Sequence, residues 1–160
     1  MKLTLYQVDA FTDTLFKGNP AAVCLLDSWL AEDLMQNIAA ENNLAETCFL
    51  VKTEKHYEIR WFTPTVEVDL CGHATLAAAY VLANYIEEDT TLFNFHSYRS
   101  GPLSVTKQVD GHFTLNFPAD NIHLVAPIDT LNTALNTEVL ETWKGTTDYM
   151  VVLPSQNELD

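Results

Sequence analysis

Positive charge is scarce in this sequence. Eight Lys and Arg residues stand against 22 Asp and Glu residues, and the formal net charge is −14 at pH 7. Proteins that bind nucleic acid neutralise phosphates with clusters of Lys and Arg. The composition therefore excludes nucleic acid as a partner class, while the acidic surface by itself favours no particular substrate.

Cysteine is also rare, with single residues at positions 24, 48 and 71. An odd number without paired spacing excludes a disulfide framework and a cysteine-based zinc site. Four histidines, His56, His96, His112 and His123, show no metal-ligand spacing either. We therefore expect no metal, and cysteines that stay reduced in the cytoplasm.

Long hydrophobic runs are absent. No stretch approaches the length of a membrane span, and Asp9 comes too early for the apolar region of a signal peptide. These features predict a cytoplasmic protein without a membrane partner. The 48% hydrophobic content is nevertheless sufficient for a real core.

Short alternating segments predict more strands than helices. An Asp110-Gly111 pair predicts a hairpin, Ser28 is a candidate N-cap for a helix over Trp29–Asn42, and a short helix is expected from Pro127. The predicted strands are Leu3–Asp9, Ala21–Leu26, Leu44–Lys52, Tyr57–Thr63, Leu92–Phe95, Leu103–Lys107, His112–Phe117 and Asp148–Leu153.

The segment Ala74–Tyr80 is apolar on every side, as a helix buried in a core would be. Because this helix is embedded among strands with hairpin signals, we predict an α+β fold with a mostly antiparallel sheet rolled around it. The predicted domains are residues 1–118 and 119–160, with residues 118–127 as a connection.

The turn Cys71-Gly72 precedes that helix and is the first candidate site. A helix that begins at about His73 directs free N–H groups and its positive dipole end at the turn, where a carboxylate or an oxyanion can bind. Gly72 permits close approach of a substrate, and His73 adds a titratable group. Ordinary helix-start chemistry is the alternative explanation of Gly72.

Glu46 is the second candidate, because it stands alone among apolar residues at the entrance of a predicted strand. Partial burial would raise its pKa and suit it to proton transfer. A carboxylate on an edge strand, facing solvent, fits the pattern equally well. Cys71 is either a thiolate activated by the helix dipole or a small buried hydrophobe, and Asn19 is either a ligand contact or a turn residue.

Three blocks of the sequence resemble the PhzF-like family of phenazine biosynthesis, which is related in fold to diaminopimelate epimerase. They are YQVDAFTDTLFKGNPAAV (Tyr6–Val23), NLAETCFL (Asn43–Leu50) and RWFTPTVEVDLCGHATLAAAYVL (Arg60–Leu82). The blocks stand in the family's order and at its distances. The resemblance is clear up to about Pro118 and weaker beyond it.

The resemblance implies two similar halves, each a half-barrel around a central helix, with the active site between them. It implies that Glu46 is the general acid/base and that Gly72 and His73 lie beside the substrate. Asn19, from its place in the Gly-Asn-Pro turn, is the further candidate for substrate binding. The resemblance further implies an isomerase without a cofactor, commonly dimeric, that moves a proton on a small carboxylate-bearing substrate.

Family members are much longer, and their second half supplies an acidic residue and a Gly-containing turn. We therefore expect that a complementing second half or a second chain completes the site. Two alternatives stay open. One is an epimerase or racemase that uses Cys71 as a base, with a partner thiol from the second half; the other is a non-catalytic half-domain that acts as a binding module.

Overall fold

A computed structural model of the protein describes residues 2–14 and 16–159. The chain divides into two compact units, one ending at Phe117 and one starting at Pro118. In the first unit the strands are β1 (Leu5–Ala10), β2 (Asn19–Leu26), β3 (Glu46–Lys52), β4 (Tyr57–Phe62), β5 (Glu67–Val68), β6 (Leu92–Ser97), β7 (Gly101–Lys107) and β8 (Phe113–Asn116). Its helices are α1 (Glu32–Asn42) and α2 (Gly72–Val81), and a π-helical segment (Leu82–Ile86) extends α2.

The strands of the first unit form one mixed sheet in the order β1-β2-β3-β4-β6-β7-β8, with β5 beside β4. Among the described strands, β2 with β3 and β4 with β6 pair in parallel, and the other pairs are antiparallel. Helix α2 contacts β1 and β2 at one end of this order and β7 and β8 at the other. The sheet must therefore curve around α2, which confirms the α+β prediction.

Helix α2 can sit inside the curved sheet because its residues are small and apolar. Ala74, Ala77, Ala78 and Ala79 are buried, and short side chains let the surrounding strands approach the helix axis. The inner face of β4 supplies large partners, above all Trp61, which is 1% exposed. The core of the first unit therefore lies between α2 and the concave face of the sheet.

Helix α1 covers the outer face and begins later than predicted. Its N-cap position is Ala31, which makes no side-chain cap bond, instead of Ser28. Trp29 lies before the helix, and its indole N–H donates to Glu58 at 2.8 Å. The predicted stop is confirmed: Asn43 adopts the left-handed conformation at φ 50° and its N–H bonds to the Ala39 carbonyl.

The second unit contains β9 (His123–Val125), α3 (Asp129–Leu135), β10 (Glu141–Lys144), β11 (Tyr149–Val152) and a short 3₁₀ turn (Gln156–Glu158). Its strands pair antiparallel in the order β11-β10-β9. The prediction that residues 118–127 only connect was wrong for β9, and β10 was not predicted. The two strands are only three and four residues long, so neither shows a clear alternation.

In the described part of the chain, no helix has the length and apolar character needed to cross a membrane.

Candidate functional site

Glu46 is the first residue of β3, which is paired on both sides. Its register partner in the parallel strand β2 is Ala21, and β4 flanks the other side. The side chain is only 18% exposed. Because side chains alternate along a strand, the Glu46 side chain lies on the same face of β3 as Cys48 and Leu50, which belong to the core around α2. The alternative of a solvent-facing carboxylate on an edge strand is therefore wrong.

Helix α2 begins at Gly72, with Cys71 extended at the N-cap position (φ −143°, ψ 113°). The Thr75 hydroxyl donates to the Cys71 carbonyl at 2.6 Å and the Thr75 N–H does so at 3.3 Å, which closes the first turn. The N–H groups before Thr75 have no partner within the helix, and the positive end of the helix dipole lies here. The backbone thus presents a local site for negative charge.

The fold brings His73 to Glu46, although they are 27 positions apart in the sequence. His73 Nε2 and Glu46 Oε2 lie 3.0 Å apart, with the two side chains 9% and 18% exposed. The two atoms lie within ion-pair distance of each other, and neither meets strict hydrogen-bond geometry with a described residue, although the Pro20 carbonyl interacts with His73 and the Cys71 thiol with Glu46. Buried polar groups of this kind are rare in folded proteins and call for an explanation.

Burial lowers the pKa of His73 below its ordinary value, because a protonated imidazole is poorly solvated there. The Glu46 carboxylate and the Pro20 carbonyl oppose this effect but do not overcome it. The imidazole is therefore neutral near neutral pH, with one ring nitrogen that donates a hydrogen bond and one that accepts.

Cys71 completes the cluster. Its Sγ lies 3.4 Å from His73 Nδ1, and burial raises the pKa of the thiol to about 12, with the Glu46 charge adding to the rise. The backbone N–H groups of Ala74 and His73 favour the thiolate but are outweighed. Cys71 is accordingly a protonated thiol, and the dipole-activated thiolate is not supported.

Glu46, Cys71 and His73 are also the described residues best placed to hold a metal, since their donor atoms lie within 4.8 Å of one another. Zinc accepts this donor set. However, the helix dipole repels a cation, and a thiol with a pKa of about 12 is costly to deprotonate. That no metal binds stays a prediction.

The remaining sequence candidates lie around this cluster. A Cβ on Gly72 would meet Leu115 and Phe117 at 3.6 and 3.8 Å, ordinary contacts, so packing does not require glycine there. Asn19 starts β2, two positions before the register partner of Glu46. The structure thus places Asn19 near Glu46 in the sheet without assigning it a role.

Sequence reasoning missed an ion cluster around Glu67, which is 9% exposed as a residue. Its carboxylate accepts from Arg60 Nε at 2.6 Å and Nη2 at 2.7 Å, from Arg99 Nη2 at 2.7 Å and from the Tyr98 hydroxyl at 2.9 Å. Arg99 also binds Asp69 at 2.8 Å, so the segment before Cys71 is tied to the β6–β7 hairpin. These partners are distant in sequence and leave no local signal.

A cavity of about 410 Å³ lies away from the Glu46–His73 pair, on the outer face of the sheet. It is lined by Trp29, Glu32, Glu58, Ile59, Arg60, His96 and Tyr98. Its charged side chains already have partners: Arg60 binds Glu32, and Glu58 accepts the Trp29 indole N–H. We assign the candidate site to the Glu46–His73 pair because unpaired buried groups, unlike cavity volume, point to chemistry.

Comparison with known proteins identifies the family. The model of the phenazine biosynthesis-like proteins, PhzC-PhzF, matches residues 8–158. The chain belongs to this family. A PhzF-family crystal structure from Enterococcus faecalis is 46% identical with a TM-score of 0.89, over 99% of this chain and 60% of that one.

An uncharacterized isomerase of Pseudomonas aeruginosa is 48% identical to this PhzF-like chain, over 99% of this chain and 60% of that protein. A predicted epimerase from the same species, 20% identical with a TM-score of 0.70, shows the shared fold alone. The chain spans about 60% of the length of the uncharacterized isomerases it matches and 43–45% of the phenazine biosynthesis-like domain-containing proteins of mouse, cattle and rat.

Proposed function

We propose that this PhzF-like chain carries the proton-transfer half of a cofactor-independent isomerase. Glu46 is the general acid/base that takes a proton from one carbon of a small carboxylate-bearing substrate and returns it to another. The observation that supports this most is the buried contact of Glu46 Oε2 with His73 Nε2 at 3.0 Å, in which neither atom meets strict hydrogen-bond geometry. A substrate between Glu46 and the helix start would supply partners for both.

The start of α2 provides the complementary group. The N–H groups at Gly72 and His73, together with the helix dipole, hold the substrate carboxylate or stabilise the negative charge that develops when the proton leaves. The neutral His73 imidazole donates or accepts one hydrogen bond beside the reacting carbon. The acidic residue expected from the second half, or from a second chain in a dimer, would face Glu46 across the cleft and handle the proton on the opposite side.

Deuterium exchange tests this proposal. The protein is incubated in D₂O with small carboxylic acids whose C–H bond is acidified by a carboxylate or a double bond, and exchange at carbon is followed by NMR. Glu46→Gln should slow exchange by about 10²–10⁴-fold, which is the usual contribution of a positioned acid/base. Glu41→Gln, an exposed glutamate on α1, is the matched control and should not change the rate. Full exchange by the Glu46→Gln variant would refute the assignment.

The same assay separates the alternatives. A cysteine-based epimerase requires Cys71 as base, so the Cys71→Ser variant would lose deuterium exchange. Our proposal expects exchange to persist in this variant, because burial keeps the thiol of Cys71 protonated. A binding module would show no exchange but would shift the Gly72 amide resonance when an acid binds.

The cysteines are free and buried, which supports the further proposal of a cytoplasmic location.

A further inference from the structure

An aromatic ring lies in solvent beside the Glu46–His73 pair. Phe11 is 71% exposed, and its ring centroid is 6.4 Å from that of His73 at an interplanar angle of 57°. A single exposed apolar residue is unremarkable on most surfaces. Here the ring lies close to His73, whose Nε2 contacts Glu46, so its apolar face adjoins the side of His73 where the proposed substrate would bind.

The backbone at Phe11 is strained. Its φ is +66°, a left-handed conformation that bulky side chains rarely adopt. Residues persist in such conformations when the surrounding structure fixes them, and they cluster at functional sites. Phe16 in the same loop shares this conformation, so the strain marks the loop as a whole, and the proximity of Phe11 to His73 distinguishes Phe11.

Contacts at the base of the loop between β1 and β2 hold Phe11 in its left-handed conformation. Ala10 and Asn19 are register partners, so the two strands stay paired up to the loop. Gly18 has φ +82°, and a Cβ there would collide with the Ala10 carbonyl oxygen. The Thr12 hydroxyl accepts the Thr14 N–H at 3.0 Å and braces the chain just after Phe11. Phe11 is thus presented by a built turn.

We propose that Phe11 is the apolar cover of the substrate site and a specificity-determining residue. Its ring lies over the substrate beside Glu46 and keeps water from the carboxyl group while that group carries the transferred proton. Water exclusion matters because a proton on an exposed carboxyl exchanges with solvent before it returns to carbon. The role rests on the proposed function of Glu46, but the covering of His73 by Phe11 can be tested separately.

The chain offers a matched control. Phe16 lies in the same loop, has φ +65° and is 94% exposed. Phe11→Ala and Phe16→Ala therefore remove the same side chain from similar backbone conformations. Because both rings are largely in solvent, neither change removes core packing, and Phe11→Tyr serves as the conservative variant.

Chemical modification tests the cover without any substrate. The full chain is treated with diethyl pyrocarbonate, and modification of His73 is followed by peptide mass spectrometry relative to His112, whose side chain is 83% exposed. Phe11→Ala should raise the relative rate at His73 several-fold, and Phe16→Ala and Phe11→Tyr should leave it unchanged. An unchanged rate in Phe11→Ala would overturn the proposal.

The second measurement uses the acid that shows Glu46-dependent exchange. Phe11→Ala should raise KM about tenfold, as expected for loss of one apolar contact face, and should increase the deuterium incorporated per turnover. Phe16→Ala should change neither quantity; equal effects of the two variants would overturn the proposal. If His73 becomes more reactive in Phe11→Ala while no acid exchanges, the cover stands and the proposed function fails.

Discussion

Replacing Glu67 by Gln is expected to destabilise the first unit far more than replacing Glu32 by Gln, although both carboxylates bind Arg60. Glu67 is 6% exposed at its side chain, whereas Glu32 is 69% exposed at 2.7 Å from the same guanidinium. Arg60 itself is 14% exposed. The pair of variants therefore compares a buried and an exposed partner of one arginine.

The magnitude follows from what each substitution leaves behind. Removing the charge of Glu67 leaves Arg60 and Arg99 without a central anion, and breaking a buried ion pair costs about 3–5 kcal/mol. The Gln amide keeps one acceptor, so we expect about 3 kcal/mol. An exposed pair contributes about 0–1 kcal/mol, which is the loss expected for Glu32→Gln.

Urea unfolding measures both losses. A Trp143→Phe background limits tryptophan emission to Trp29 and Trp61, which lie in the first unit. The reasoning would be refuted if Glu67→Gln and Glu32→Gln lowered the free energy of unfolding equally. It would also be refuted if Glu67→Gln stabilised the protein.

The pH dependence gives an independent check. Burial by itself would raise the pKa of Glu67, but bonds from Arg60 and Tyr98 and the charges of Arg60 and Arg99 prevail and lower it. The folded protein therefore binds this proton more weakly than the unfolded chain does. The stabilisation that ionised Glu67 contributes is fully present above its ordinary pKa of 4.5. It is lost as pH falls through the lower pKa that Glu67 has in the folded protein. The difference between wild type and Glu67→Gln should accordingly shrink below pH 4.5.

Substitutions at three further positions test backbone requirements by the same unfolding assay. Gly18→Ala should lower the free energy of unfolding by at least about 2 kcal/mol, since φ is +82° and the new Cβ would strike the Ala10 carbonyl. Gly72→Ala should change the free energy of unfolding by less than about 1 kcal/mol, because a Cβ at Gly72 has room. Equal losses would contradict this steric argument. Asn43→Ala should cost about 1 kcal/mol at the left-handed end of α1, while Asn43→Gly should be neutral or stabilising; a loss in the glycine variant would show that the Asn side chain matters.

Local patterns were sufficient for much of the secondary structure. The alternation from Tyr57 to Phe62 predicted β4, and Asp110-Gly111 predicted the β7–β8 hairpin. These signals succeed because strand period and turn geometry depend on neighbouring residues. The predicted start of α1 was wrong: Trp29 lies outside the helix and bonds to Glu58, 29 positions away, a contact that leaves no local signal.

The amino-acid sequence by itself determined the elements and the candidate groups: an apolar helix, a glycine before it, and an isolated glutamate in an apolar strand. Only the tertiary structure decided that Glu46 and His73 meet at 3.0 Å and that Glu67 is buried between two arginines. The reason is physical. Pairing of β2 with β3 and the curvature of the sheet around α2 are long-range contacts, and they bring together residues whose spacing along the chain carries no sign of their proximity.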